Sequence, residues 1–154
     1  MLIAFAADHG GAGLKRQLLQ ALHAAETEHE LIDLGGDGSD PGDDYPDFSA
    51  RLGQAIQSGE ADRGVLICGS GVGASIAATK MRGVRSAVCH DTYSARQGVE
   101  HDDMNVLCLG SDIVGPSLAD ELVRAFLRAR FDGGERYLRR LRKVEVMERE
   151  MSRG

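Results

Sequence analysis

Between the apolar run Gly64-Val65-Leu66-Ile67 and an alanine-rich segment from Ala74 to Met81, the chain carries Cys68-Gly69-Ser70-Gly71-Val72-Gly73. No other stretch restricts the fold as strongly. A short apolar run bounded by glycine reads as a buried strand, and the alanine-rich segment reads as a helix. A glycine-rich passage from strand into helix is suited to an anion. Glycines let backbone come close to a ligand, and the first helical amides have no carbonyl behind them. A thiol at the strand's end, Cys68, then faces those amides, where the helix end favours negative charge. The stretch sets a soft base against an oxyanion cradle. A cysteine alone would read as inert core; three glycines and a serine beside it favour a site.

Related motifs do not fit. A Walker loop needs Lys after its last glycine, and Ala74 follows Gly73. A dinucleotide fingerprint needs Gly-x-Gly-x-x-Gly, whose third glycine falls one residue later than Gly73. In a nucleophile elbow, glycines would stand where Cys68 and Val72 flank Ser70. A cysteine phosphatase would close the turn with arginine, and Ala74 and Ser75 stand there.

At 154 residues the chain reads as one domain, 1–154. Its net charge of -6 argues against nonspecific nucleic-acid binding, and an aromatic content of 5% argues against a base-stacking surface. Cys68, Cys89 and Cys108 are odd in number and sit near apolar runs, as reduced thiols do. No CxxC or HExxH spacing suggests a metal. No apolar run approaches membrane length and no leader is evident, so a cytoplasmic protein is expected.

Apolar runs at Leu2–Ala6, Glu30–Leu34, Arg63–Ile67, Val84–Cys89 and Val106–Leu109 read as five strands. Helical spacing follows each: Leu14, Leu18, Leu19 and Leu22; then Tyr45-Pro46 to about Ser58; Ser75–Met81; Tyr93–Val99; and a helix opening at Pro116. Alternation of this kind predicts an α/β fold, a three-layer α/β/α sandwich with a five-stranded parallel Rossmann-like sheet. Gly133-Gly134 introduces an extra helix, 134–152, expected to pack on a partner subunit.

Asp8-His9-Gly10-Gly11 follows the first strand, where a parallel sheet keeps its ligand crevice. Asp8 could equally cap the next helix and His9 be an exposed loop residue. Gly35–Asp44 is an acidic loop without calcium-loop spacing. Tyr45 either reaches the crevice or staples the helix start. His90-Asp91 follows the fourth strand, with Asp91 an N-cap candidate. His101-Asp102-Asp103 precedes the fifth strand, on the wrong side of the sheet for the crevice, so it is surface or serves a site across a subunit boundary. Arg136 and Arg140 lie four apart and could fork a phosphate together, or form a solvated face paired with Glu145, Glu148 and Glu150.

Taken in order, Asp8-His9-Gly10-Gly11, Asp44-Tyr45-Pro46, Ile67 to Gly73, Tyr93-Ser94-Ala95, His101-Asp102-Asp103-x-Asn105-Val106-Leu107 and Gly133-Gly134 ahead of arginines resemble the type B ribose-5-phosphate isomerases of the ribose/galactose-6-phosphate isomerase family. The resemblance runs nearly end to end. It implies aldose–ketose isomerisation of a phosphorylated sugar, ribose 5-phosphate to ribulose 5-phosphate, without metal or organic cofactor. Cys68 matches the base, Ser70 a residue assisting it, and Gly69, Gly71, Val72 and Gly73 the anion hole. His101 matches a ring-opening histidine delivered by the other subunit of a homodimer, or of a tetramer built from it. Asp8 matches a contact to the sugar hydroxyls or ring oxygen, His9, Arg136 and Arg140 match phosphate ligands, and Tyr45 a residue lining the site. Asp102 stands where many members have Asn, which bears on hydroxyl recognition and keeps a tetrose, allose or galactose phosphate as alternative substrates. Tyr137 and Lys80 also depart, at frequent His and Asn positions. A noncatalytic phosphosugar-binding subunit is the reading from another class.

Overall fold

The computed structural model describes residues 1–152. Five strands alternate with helices: β1 (Leu2–Ala7), α1 (Ala12–Ala24), β2 (Glu30–Asp33), α2 (Tyr45–Ser58), β3 (Arg63–Cys68), α3 (Val72–Ala78), β4 (Ser86–Val88), α4 (Thr92–Asp102), β5 (Val106–Gly110) and α5 (Pro116–Arg128), with α6 (Glu135–Met151) added at the end. The sheet is wholly parallel in the order β2-β1-β3-β5-β4. The expected three-layer sandwich is therefore the fold.

Each strand feeds two cores because successive side chains point to opposite faces. Ile3, Phe5, Val65, Ile67, Leu107 and Leu109 meet Leu14, Leu18 and Leu22 of α1, Val99 of α4, and Leu122 and Phe126 of α5. The other face is thinner. Ala4, Ala6, Leu66, Cys68, Val106 and Cys108 meet Leu52 and Ala55 of α2 and Ala74 and Ala78 of α3. Small residues set this spacing: a Cβ on Gly64 would lie 2.4 Å from Leu52 Cδ2, so α2 can rest directly on the sheet.

Some boundaries differ from those read in the sequence. α3 begins inside the glycine stretch, at Val72, because Gly71 adopts φ +78° as its N-cap. It ends at Ala78; Lys80 and Met81 then donate three residues back, to Ala77 and Ala78, tightening the chain before Gly83 turns it at φ +77°. β4 is only three residues long, as befits an edge strand paired on one side. α4 continues to Asp102 and is closed by Asp103 at φ +50°, so His101 and Asp102 are helical, not loop residues. Among the described residues no helix is long and apolar enough to cross a membrane.

α6 buries no residue in the two cores. It touches α4, with the His101 ring stacked on Tyr137 at 4.4 Å between centroids, and Glu148 Oε1 accepts the Gly83 N–H at 2.7 Å. Val144, Val146, Met147 and Met151 remain exposed along it.

Candidate active site

The strand order reverses direction between β1 and β3, since β1 leads to β2 on one side and β2 then crosses to β3 on the other. Ligands of open parallel sheets bind beyond the carboxyl ends of strands at such a switch point. Asp8 directly follows β1 and Cys68 ends β3, the two strands that flank it, with Ala7 paired to Ile67 and the Asp8 N–H donating to Ile67 O at 3.3 Å.

Asp8 is buried, 8% exposed. Its Oδ1 accepts the Gly11 N–H at 3.0 Å, which turns the chain into α1. Gly11 is the N-cap of that helix, so the Asp8 carboxylate holds the turn before the helix and does not cap its first turn. Gly10 brings the two turns together, because a Cβ there would lie 3.4 Å from Asp8 Oδ1 and 3.6 Å from Gly69 N.

Cys68 closes β3 with 4% of its surface exposed. The Gly71 N–H donates to its Sγ at 3.2 Å, and the Val72 N–H donates to Ser70 Oγ at 3.2 Å. Two of the turn's amides are thus engaged within the turn, one of them on the sulfur itself. Ser75 is the first residue of α3 to donate four residues back, to Gly71 O, so the amides of Gly73 and Ala74 precede the helical ladder. Tyr45, the first residue of α2, lies against Gly73, where a Cβ would sit 2.7 Å from its ring. The glycine is required for that approach, and Tyr45 lines the turn as well as starting the helix.

Residues that the sequence reading passed over complete the rim. Ser111 Oγ donates to Gly10 O at 2.8 Å and to Cys68 O at 3.2 Å, tying the β5–α5 turn to both others. The Asp112 N–H donates to Gly69 O at 2.9 Å, and a Cβ on Gly69 would lie 3.0 Å from Asp112 Oδ2. A second carboxylate therefore overlies the turn beside Cys68. His90 Nε2 accepts the Gly110 N–H at 3.0 Å, a structural use of that histidine, and Asp91 caps α4 through Ser94 N at 2.7 Å. Ser111 and Asp112 follow an apolar run just as Asp8 does, and the rule that singled out Asp8 applies to them equally.

His9 is exposed and its Nδ1 lies 2.7 Å from Asp43 Oδ1. That hydrogen bond, helped by the charges of Asp43 and Asp8, raises the His9 pKa above the ordinary imidazole value. Burial raises the pKa of Cys89 and Cys108, pushing them up to about 11 and about 12. Neither is a thiolate near neutral pH.

His101, Asp102, Arg136 and Arg140 do not join this crevice within one chain. Cys68 pairs with Gly110 at the carboxyl end of β5, whereas His101 precedes the amino end. The length of that strand, roughly 13 Å, separates the two ends. Gln97 Nε2 contacts His101 Nδ1 at 2.7 Å, and Arg136 and Arg140 are exposed on α6. Among the described residues no ion pair involves α6, so the expected pairing with Glu145, Glu148 and Glu150 is not made. Two surface hollows, one between α1 and residues 33–37 and one beside Gln57 and Arg82, lie away from Cys68. Among the described residues no three His, Cys, Asp or Glu side chains are placed to hold a metal ion.

These features define an open parallel α/β protein with a thiol, two carboxylates and backbone amides gathered at its switch point. Comparison with known proteins makes the class particular. Residues 3–144 match the model of the family described as Ribose/Galactose Isomerase. The chain is 42% identical over 146 residues to the ribose-5-phosphate isomerase B of Escherichia coli, covering 95% of each. It is 38% identical over 132 residues to a D-erythrulose-4-phosphate isomerase of Pectobacterium atrosepticum, covering 86% of each. The solved structure of the Clostridium thermocellum ribose-5-phosphate isomerase B superposes with a TM-score of 0.90 at 43% identity, over 98% of this chain and 99% of that one. The chain belongs to the ribose/galactose isomerase family.

Proposed function

We propose that the protein is a cytoplasmic sugar-phosphate isomerase that interconverts ribose 5-phosphate and ribulose 5-phosphate through an enediolate. The observation that carries the reading is the thiol of Cys68 set in its glycine turn at the switch point, with the Gly71 amide on its sulfur, in a chain of this family. Cys68 takes the proton from C2 of the open-chain aldose as the carbonyl at C1 gains negative charge. It returns the proton to C1, while the C2 hydroxyl proton passes to the oxygen on C1 and the carbonyl reforms at C2. Ser70 lies beside that transfer. The turn Gly69–Gly73 holds the developing oxyanion; preorganised donors of this kind contribute about 3–4 kcal/mol each. A correctly placed base adds roughly 10²–10⁴-fold.

Asp8 contacts sugar hydroxyls, Tyr45 walls the site, and His9 binds phosphate. His101, Asp102, Arg136 and Arg140 come from the second subunit of a homodimer, which resolves their position at the far end of the sheet. The α6 helix, with no residue buried in its own subunit's cores and four apolar side chains exposed, is the element that packs on that partner. Phosphate gripped by arginines orients the reacting end.

The preferred sugar is tested by comparing kcat/KM across ribose, erythrose, allose and galactose phosphates. Ribose 5-phosphate is expected to rank first. A higher rank for a tetrose phosphate would support the second reading, which Asp102 and the likeness to a D-erythrulose-4-phosphate isomerase favour. Exchange of the C2 proton in deuterated water distinguishes any isomerase from a noncatalytic binder, which shows none.

A further inference from the structure

We propose that Asp43 is the positioning residue of the anion-binding end of the site, acting through His9. One carboxylate oxygen, Asp43 Oδ1, accepts both the backbone N–H of His9 at 2.8 Å and the ring Nδ1–H at 2.7 Å. Two bonds to one acceptor fix the residue's backbone and the rotation of its ring together. With Nδ1 committed to Asp43, Nε2 is left facing outward, an acceptor in the neutral ring and a donor once the imidazole is protonated. Among the described residues Nε2 has no partner. His9 is exposed while the Asp43 carboxylate is mostly covered, at 42% and 15% of their side-chain surfaces. The pair therefore presents the imidazole and hides the acid.

The loop that delivers Asp43 is itself held. Lys15, buried in α1, reaches Asp33 Oδ1 at 2.6 Å and Gly35 O at 2.9 Å. Arg51 of α2 donates to Leu34 O at 2.7 Å. Gly36, at φ +89°, lies so close to Ala7 O that a Cβ would be 1.7 Å away, which pins the loop against the end of β1. At its other end Asp43 adjoins the N-cap of α2. The backbone around His9 is held by bonds at Asp8, Gly10 and Gly11, but among the described residues its ring has no hydrogen-bond partner besides Asp43. An imidazole on such a turn keeps a defined donor direction only through an external acceptor, as histidine ligands elsewhere are oriented by a carboxylate behind them.

The charged groups facing His9 are Asp43 from the loop before α2 and Asp8 from the end of β1, and both favour its protonated form. The imidazolium thus persists to higher pH than an unassisted histidine, and an anion bound to Nε2–H is released as pH rises through that raised value. Removing Asp43 moves the release to lower pH.

The proposal rests on the phosphosugar reading only for the identity of the anion, and inorganic phosphate is the probe that separates them. Calorimetric titration of phosphate into wild type, Asp43→Asn, His9→Gln and the double variant, each from pH 6 to 9, forms a cycle. Asp43→Asn is expected to weaken phosphate about tenfold near neutral pH, to begin losing affinity at lower pH than wild type, and to raise the KM for a phosphosugar more than it lowers kcat. In the His9→Gln background the same change is expected to do little. Equal loss in both backgrounds would show that Asp43 only holds the loop and would overturn the proposal, as would an unchanged pH limb in Asp43→Asn. If no sugar phosphate is turned over, the isomerase reading fails while the phosphate cycle still decides the role of Asp43.

Discussion

As the proposed base, Cys68 has to answer two opposing demands. A base for a carbon acid must reach substrate, and it must not be levelled by water. With 4% of its surface exposed and the Gly71 amide on its sulfur, it is shielded by its own turn. The other two thiols are removed from chemistry by burial, since Cys89 and Cys108 hold their protons to about 11 and 12. Cys68→Ala is therefore expected to lower kcat by at least roughly 10²–10⁴-fold while inorganic phosphate still binds. Wild-type turnover in that variant would remove the thiol from the mechanism. This residue was legible in the sequence because strand, thiol and glycines are contiguous. Asp112 and Asp43 were not, since the first is brought over Gly69, and the second against His9, only by the folding of distant loops.

At the scale of single elements, the carboxyl end of α5 shows how a polar side chain can be committed to structure. Arg63 opens β3 and is buried, with its Nη1 donating to Phe126 O and its Nη2 to Ala129 O at 2.9 Å. Its guanidinium also lies 5.3 Å from the centre of the Phe126 ring. A cation at this end satisfies carbonyls that the helix leaves unpaired and meets the negative end of its dipole. Burial lowers the Arg63 pKa, with Arg130 adding to the effect, yet the guanidinium stays charged at any working pH. Arg63→Met should retain the aliphatic packing and orphan the carbonyls, destabilising the fold by roughly 3 kcal/mol. Urea unfolding at fixed protein concentration measures this, and a midpoint equal to wild type would show that water replaces the guanidinium. The same scale shows where pattern reading of elements reached its limit. Type and order were correct for every strand, but α3 stops at Ala78, where Lys80 and Met81 tighten to three-residue bonds, and α4 runs on to Asp102, where Asp103 takes positive φ. Asparagine, aspartate and glycine permit that conformation without announcing it.

Across the whole molecule, the chemistry-bearing residues fall into two sets at opposite ends of the sheet. Asp8, His9, Cys68 and Ser70 crown the carboxyl ends of β1 and β3, while His101 and Asp102 close α4 and Arg136 and Arg140 stand on α6. The proposed homodimer with shared sites would unite them, and subunit exchange tests this directly. Mixing inactive Cys68→Ala with inactive His101→Asn should restore about a quarter of wild-type activity, because half the dimers are mixed and each mixed dimer holds one intact site. No recovery after proven exchange would mean that each site is built within one chain.

Local chemistry was enough for much of this protein. Apolar runs, helical spacing and glycine punctuation act between near neighbours along the chain, so they announced a parallel α/β sandwich and the thiol in its turn. Strand order is another matter. Inserting β5 between β3 and β4 is what carries Ser111 to Gly10, a separation of 101 residues, and the path of the loop after β2 is what carries Asp43 to His9. Such meetings follow from how the sheet closes its two cores at once, a balance of packing over the entire chain that no short window of residues contains.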